Sequence, residues 1–169
     1  MEFNVSQLLK EAVGTARRYR VAEQVRLPDN EGSYWVEGDV HLLKTDKGVL
    51  AQCSLGTEAE DSCSRCLAPL RRSVALSIEE EYFPIVDPAS GLRVVPPEDE
   101  TFTLDERHIL SLDEAFRQYL VMSAPIQPLC HDNCLGLCPT CGGNRNSQPC
   151  LCATATENPR WSALRQLAR

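Results

Sequence analysis

Six cysteines fall between Cys130 and Cys152, in the run C-x3-C-x3-C-P-T-C-G-x7-C-x-C. A segment with so many thiols and so few large apolar side chains cannot take its shape from a core of its own. Cross-linking or a metal has to supply it. Within the run, Cys138-Pro139-Thr140-Cys141-Gly142 reads as a zinc knuckle. Proline presets the turn, and glycine after the second cysteine allows the positive φ that aims backbone N–H groups at both sulfurs.

A tetrahedral ion needs two further ligands. Cys150 and Cys152 are separated by one residue, so in an extended segment their side chains point the same way. Cys130 and Cys134 compete for the role, and spacing alone does not decide between the pairs. Cys138, Cys141, Cys150 and Cys152 are the preferred first zinc site. Cys63 and Cys66, in Cys63-Ser64-Arg65-Cys66-Leu67, are then left with Cys130 and Cys134, and these four make a candidate second site. The competing readings are a free or redox-active pair at Cys63 and Cys66, or simple packing. His131 is an alternative ligand. Cys53 alternates with Val49, Ala51 and Leu55 along a predicted strand and reads as a small buried hydrophobe. Nine cysteines is an odd number, and the start of the chain lacks the apolar run of a signal peptide, so a disulfide framework is not expected. With no stretch near the roughly 20 apolar residues that cross a bilayer, the expectation is a cytoplasmic protein away from membranes.

Ahead of the cysteine run the pattern changes to strands. A short helix is predicted over residues 4–13, with Asn4 as cap and Gly14 as stop. Tyr19, Val21, Val25 and Leu27 then mark one face of a strand broken by Glu23, Val36, Gly38, Val40 and Leu42 a second face, and Val49, Ala51, Cys53 and Leu55 a third. A fourth strand is predicted from Pro69 to Phe83, and Pro84 to Thr103 is a proline-rich acidic loop. Ser111-Leu112-Asp113-Glu114 has the form of a capping box, opening an amphipathic helix with Leu112, Ala115, Phe116, Tyr119 and Leu120 on one face. Asn158 and Pro159 signal the start of a terminal helix carrying Trp161. The expected architecture is α+β: an antiparallel β-sheet covered by an amphipathic helix over residues 1–125, then a zinc-binding tail with a terminal helix over 126–169.

Glu79 to Glu106 holds nine acidic residues against Arg93 alone, and the whole chain carries a net charge of -7. Unaided, non-specific binding to nucleic acid is not expected of such a chain, and the acidic belt suits a basic protein better. Arg65, Arg145, Arg160, Trp161 and Arg165 are the candidates for contact with RNA or protein. Their plainer role is to neutralise thiolate charge and fill a core. Three histidines, none in H-E-x-x-H or H-x-E spacing, with no Gly-rich phosphate loop and no G-x-S-x-G, give no catalytic constellation. Four thiolates close a metal site against substrate. The chain is read as a non-enzyme.

Taken in order, Asn4-Val5-Ser6-Gln7-Leu8-Leu9-Lys10, Val36-Glu37-Gly38, Cys63-Ser64-Arg65-Cys66-Leu67, Cys134-Leu135-Gly136-Leu137-Cys138-Pro139-Thr140-Cys141-Gly142, Asn144-Arg145-Asn146 and Asn158-Pro159-Arg160-Trp161 make the chain resemble the bacterial and plastid YceD family. Arg145, where leucine is common between the two asparagines, and Asn158, in place of aspartate before Pro-Arg, are departures from its pattern. The resemblance implies a role in accumulation of large-subunit ribosomal RNA, with a ribosomal protein or a pre-large-subunit ribonucleoprotein as partner and direct RNA contact left open. A thiol-based redox or zinc-release sensor, and a zinc-stapled interaction module unrelated to ribosomes, are the alternatives.

Overall fold

The computed structural model describes residues 1–27, 32–96, 102–148 and 150–152. Among the described residues are seven strands, β1 (Glu2–Asn4), β2 (Ala16–Arg26), β3 (Ser33–Lys44), β4 (Val49–Ser62), β5 (Pro69–Pro84), β6 (Thr103–Leu104) and β7 (Ile109–Ser111), and one α-helix, α1 (Asp113–Met122). The chain forms two compact units, Met1–Ala59 with Arg71–Ala124 and Glu60–Leu70 with Pro125–Arg169. The second unit thus takes in the turn between β4 and β5, which the sequence division had left with the sheet.

In the larger sheet the strand order is β2-β3-β4-β5-β6. Alternation dictates its long strands. Val36, Val40 and Leu42 of β3 and Val49, Ala51, Cys53 and Leu55 of β4 are buried, while the residues between them are exposed or half-buried. The β2–β3 ladder runs antiparallel without interruption from Ala16↔Leu43 to Arg26↔Ser33. Glu23 does not break the first strand, because β3 supplies partners along its whole length. Gly38 sits where β3 meets β4 most closely: a Cβ there would stand 2.0 Å from the Ser54 carbonyl oxygen.

Three expectations need correction. β5 and β6 pair in parallel, Phe83 with Thr103 and Pro84 with Leu104, so the sheet is not wholly antiparallel. The opening helix is replaced by β1, which pairs antiparallel with β7, and a single 3-10 turn at Leu8–Lys10. Asn4 does cap something, but only an Asx turn, its Oδ1 accepting the Ser6 N–H at 3.0 Å. The acidic loop is partly folded back on itself. Val86 bridges Arg93, and Asp87 accepts the Ala89 and Ser90 N–H groups, which holds its carboxyl below the usual range.

At α1 the predicted face is right and the capping box is not formed. Leu112 is the N-cap, and Ser111 closes β7. Leu112, Ala115, Phe116 and Leu120 are buried, with Phe116 edge-on to Tyr34 at 6.1 Å and Tyr119 donating to Glu80 at 3.0 Å. A helix of 10 residues is about 15 Å long, whereas five strands side by side span about 24 Å. α1 therefore supplies only part of the core, and Val5, Leu8, Leu9, Leu104 and Leu110 complete it. The predicted terminal helix lies outside the described residues. No helix among the described residues is long and apolar enough to cross a membrane.

Candidate metal centre

Eight of the nine cysteines gather into two groups of four: Cys63, Cys66, Cys130 and Cys134, and Cys138, Cys141, Cys150 and Cys152. All eight belong to the second compact unit. In each group the four sulfurs lie within 4.8 Å of one another. Cys63 and Cys134 sulfurs are 3.7 Å apart and those of Cys66 and Cys130 3.6 Å. A disulfide needs about 2.05 Å. A tetrahedral ion about 2.3 Å from each sulfur sets neighbouring sulfurs about 3.8 Å apart, so the first group has the dimensions of a four-thiolate metal site. The donor set in both groups fits a tetrahedral divalent ion and leaves no open position.

Each group is built around a knuckle, and the two knuckles share one backbone plan. Cys63 N–H donates to Ala68 O at 2.9 Å and Cys138 N–H to Gly143 O at 2.8 Å, five residues on in each case. Leu67 N–H returns to Cys63 O and Gly142 N–H to Cys138 O, both at 2.9 Å. The residue after the second cysteine is left-handed in both, with φ 58° at Leu67 and 71° at Gly142. Glycine takes that conformation freely; leucine takes it against a cost of about 1 kcal/mol.

These turns decide which thiols ionise first. Hydrogen bonding from the Cys66 backbone lowers Cys63 to about 6, and that from the Cys141 and Thr140 backbones lowers Cys138 to about 6. The last thiols are the reluctant ones. Loss of water, then the thiolates of Cys134 and Cys66, push Cys130 up to about 12; Cys141 beside it, then burial, push Cys152 up to about 12. Gathering four like charges is unfavourable unless a cation sits among them, and a coordinated divalent ion reverses the sign of that effect. Cys53 stands apart, buried in the sheet core and pushed up to about 11 by desolvation, as a packing residue should be.

The first group has the more developed surroundings. Cys63, Cys66 and Cys134 are buried, with Ala68, Leu70, Leu129 and Leu137 packed against them. Ser64 N–H donates to Pro128 O at 2.8 Å, and Leu137 N–H to Arg65 O at 3.1 Å. Arg65, a candidate for contact with RNA or protein, directs its guanidinium to the Cys134 carbonyl at 3.0 Å. Arg145 has an exposed side chain, and its N–H donates to Gly136 O at 3.0 Å. His131 belongs to neither group; its carbonyl accepts the Cys134 N–H at 3.1 Å. Arg160, Trp161 and Arg165 lie outside the described residues.

Asn146 was not singled out as a site residue, although the Asn144-Arg145-Asn146 run offered a signal. Its amide nitrogen donates to the Cys134 sulfur at 3.2 Å and to Asn144 Oδ1 at 2.9 Å, and its Oδ1 accepts the Leu135 N–H at 2.8 Å. Asn146 lies in the chain between Cys141 and Cys150, ligand candidates of the second group, yet its side chain serves the first. One asparagine therefore links the two groups.

Comparison with known proteins follows the cysteines. The family described as large ribosomal RNA subunit accumulation protein YceD matches residues 51–168, which include all eight grouped cysteines. Uncharacterized protein Mb2951c of Mycobacterium bovis and uncharacterized protein Rv2926c of Mycobacterium tuberculosis are each 28% identical over 126 residues. The match covers 75% of this chain and 58% of either relative, so the chain spans little over half the length of the curated relatives it matches. No solved structure matches it significantly.

Proposed function

Because the chain belongs to the YceD family of large ribosomal RNA subunit accumulation proteins, we propose that it is a non-catalytic factor in the accumulation of large-subunit ribosomal RNA, acting in the cytoplasm. Two structural zinc ions hold its second unit in shape, and that shape is what a ribosomal protein or a pre-large-subunit ribonucleoprotein recognises. The observation that carries this reading is the family match running through both four-cysteine groups. Zinc is the ion of choice because four thiolates at tetrahedral spacing favour it over harder cations. Each such site holds no exchangeable water, which suits a structural part and not a hydrolytic centre.

The negative charge of the Glu79–Glu106 region supports a basic protein as the direct partner, although Asp87 and Asp105 are committed to their own turns and Glu106 pairs with Arg93. A redox sensor would need spare thiols, and among the described residues only buried Cys53 lies outside the two groups.

Depletion in the source cell tests the proposal. Large-subunit ribosomal RNA is expected to fall relative to the small-subunit species, with the protein co-sedimenting with large-subunit precursors. Wild-type chain should restore the level, and a Cys63→Ser, Cys138→Ser double variant should not. An unchanged ribosomal RNA profile on depletion would reject it.

A further inference from the structure

The long strands of the first unit have a second side, and on the β2–β3 ladder it is open to solvent. Arg18, Arg20, Ala22, Gln24 and Arg26 of β2 alternate outward, facing His41, Asp39, Glu37, Trp35 and Ser33 of β3 across the register. All ten are exposed except His41, which is half-buried. An outward row of small polar residues would suffice to keep such a face wet. This one instead carries, as the third residue of β3, an indole that is 59% exposed. The strand beneath it is fixed by Thr57 Oγ1, which donates to the Trp35 backbone carbonyl at 2.8 Å, and Gln24, directly across the ladder from Trp35, donates to Ser33 Oγ at 2.6 Å. Ala22 and Arg26 are its diagonal neighbours on β2.

Charge on this face is sorted by strand. β2 contains Arg17, Arg18, Arg20 and Arg26 against Glu23 alone, in a chain of net charge -7. Arg17 is paired with Glu11 at 2.8 Å, whereas Arg18 and Arg20 make no side-chain hydrogen bond or ion pair among the described residues. β2 is also the edge strand, so its arginines border open solvent. Side chains on alternate residues recur about every 6.8 Å along a strand, and those directly opposite on the next strand stand about 5 Å away. A polyanion laid along β2 would meet successive guanidinium groups and turn its side groups inward over β3. There it would find an aromatic face at Trp35 and two hydrogen-bond acceptors, Glu37 and Asp39.

We propose that the outward face of β2 and β3 is a binding surface for single-stranded RNA, with Arg18, Arg20 and Arg26 on phosphates, Trp35 stacking a base, and the Glu37 and Asp39 carboxylates accepting from base amino groups. The proposal deepens the ribosomal-RNA reading and rests on it for the identity of the polyanion. Aromatic stacking with guanidinium contacts is the chemistry by which open sheet faces take single strands, and carboxylates pair with exocyclic amines. A duplex would not fit, because its bases are not free to reach the ring. The acidic charge of the remaining chain makes the affinity modest and steeply dependent on salt.

The test uses the full, zinc-loaded chain, with affinity read by the anisotropy of a labelled RNA; the Trp161→Phe background, which leaves Trp35 as the one indole, serves the quenching measurement alone. The probe is a mixed-sequence single-stranded RNA of about a dozen nucleotides, within the usual site size for such surfaces. Titration should quench Trp35 fluorescence. Trp35→Ala should weaken binding by roughly 5- to 100-fold, as loss of one base–aromatic stack does, while Trp35→Phe keeps most of the affinity. Arg18→Ala, Arg20→Ala and Arg26→Ala together should reduce the slope of log affinity against log salt by about 2, at about 0.7 per lost phosphate contact. Absence of RNA binding, or equal binding by Trp35→Ala, overturns the proposal. So does a cross-linker at Gln24→Cys that captures polypeptide and no RNA in cells, which would make the face a protein-docking surface. These titrations stand apart from the depletion experiment. A normal ribosomal RNA profile ends the functional reading, whereas unaltered binding by Trp35→Ala ends this one and leaves any depletion phenotype in place.

Discussion

Replacing Asn146 tests whether the two cysteine groups are linked as the hydrogen bonds indicate. Its side chain does two separable things, donating to the Cys134 sulfur at 3.2 Å and accepting from the Leu135 N–H at 2.8 Å. Asn146→Ala loses both. A hydrogen bond to a charged group contributes about 1.5–3 kcal/mol when shielded. Asn146 is exposed, so the lower part of that scale applies, about 1.5–2 kcal/mol, or about 12- to 30-fold in metal affinity. Asn146→Asp separates the two functions. It keeps an acceptor for Leu135 but removes the donor and sets a carboxylate oxygen against a thiolate, a repulsion at short range. Affinity at the Cys63 group should therefore fall in the order asparagine, alanine, aspartate. The assay is competition with a graded series of chelators on the doubly zinc-loaded chain, with release from the Cys63 group read by alkylation of its thiols and mass spectrometry, so that the other site stays intact. Were aspartate equal to asparagine, the amide would be oriented with its oxygen and not its nitrogen toward Cys134, and the link between the groups would be wrong.

Cys63→Ser and Cys138→Ser should each lower the zinc content from two ions to one by native mass spectrometry, while the far-ultraviolet signal of the sheet persists; its loss would show that the sheet depends on the metal sites. Zinc affinity should rise with pH from about 6 upward. Cys63 and Cys138, lowered to about 6 from 9.0, are thiolates above that value and lose their contribution as pH falls through it, and Cys130 and Cys152 must release their protons to solvent when the ion binds at any neutral pH. Chelator competition at two pH values checks the sign. Tyr82→Phe should stabilise the first unit by about 1 kcal/mol in urea unfolding, since the Tyr82 hydroxyl is buried without a hydrogen-bond partner among the described residues and its ring contact with Phe102 at 5.2 Å survives the change. A loss of stability would mean that a bound water serves that hydroxyl.

What the sequence made legible was whatever repeats over short range. Alternation located β3 and β4 because burial on one side of a strand imposes a period of two, and the thiol spacings were enough to propose both groups of four. What it concealed was pairing at a distance. Residues 4–13 carry acceptable helix signals, but Glu2–Asn4 is drawn into a ladder with Ile109–Ser111, a hundred residues away, and only a 3-10 turn remains. The parallel pairing of β6 with β5 is hidden for the same reason, being two residues long and decided by the partner. Asn146 escaped notice because an asparagine among glycines and serines reads as a turn residue, and its sulfur contact arises only once Cys134 is placed.

Similar ligands do not make the two groups equivalent in folding. Cys138, Cys141, Cys150 and Cys152 lie within 15 consecutive residues, whereas Cys66 and Cys130 are separated by 63. On closure entropy alone, joining the two halves of the Cys63 group costs about 1.7 kcal/mol more than closing the loop from Cys141 to Cys150. An ion can therefore assemble the C-terminal group before any sheet exists. The Cys63 group has to wait until β4 and β5 have formed their turn and α1 has returned the chain, after which most of that cost has been met by the fold itself. Asn146, positioned by the loop of the early group, then presents its amide to Cys134 of the late one. Zinc added to the unfolded chain should accordingly bind in two steps, the first surviving in a variant whose sheet cannot form and the second appearing only with the sheet's circular dichroism. Binding of both ions in that variant would refute this order.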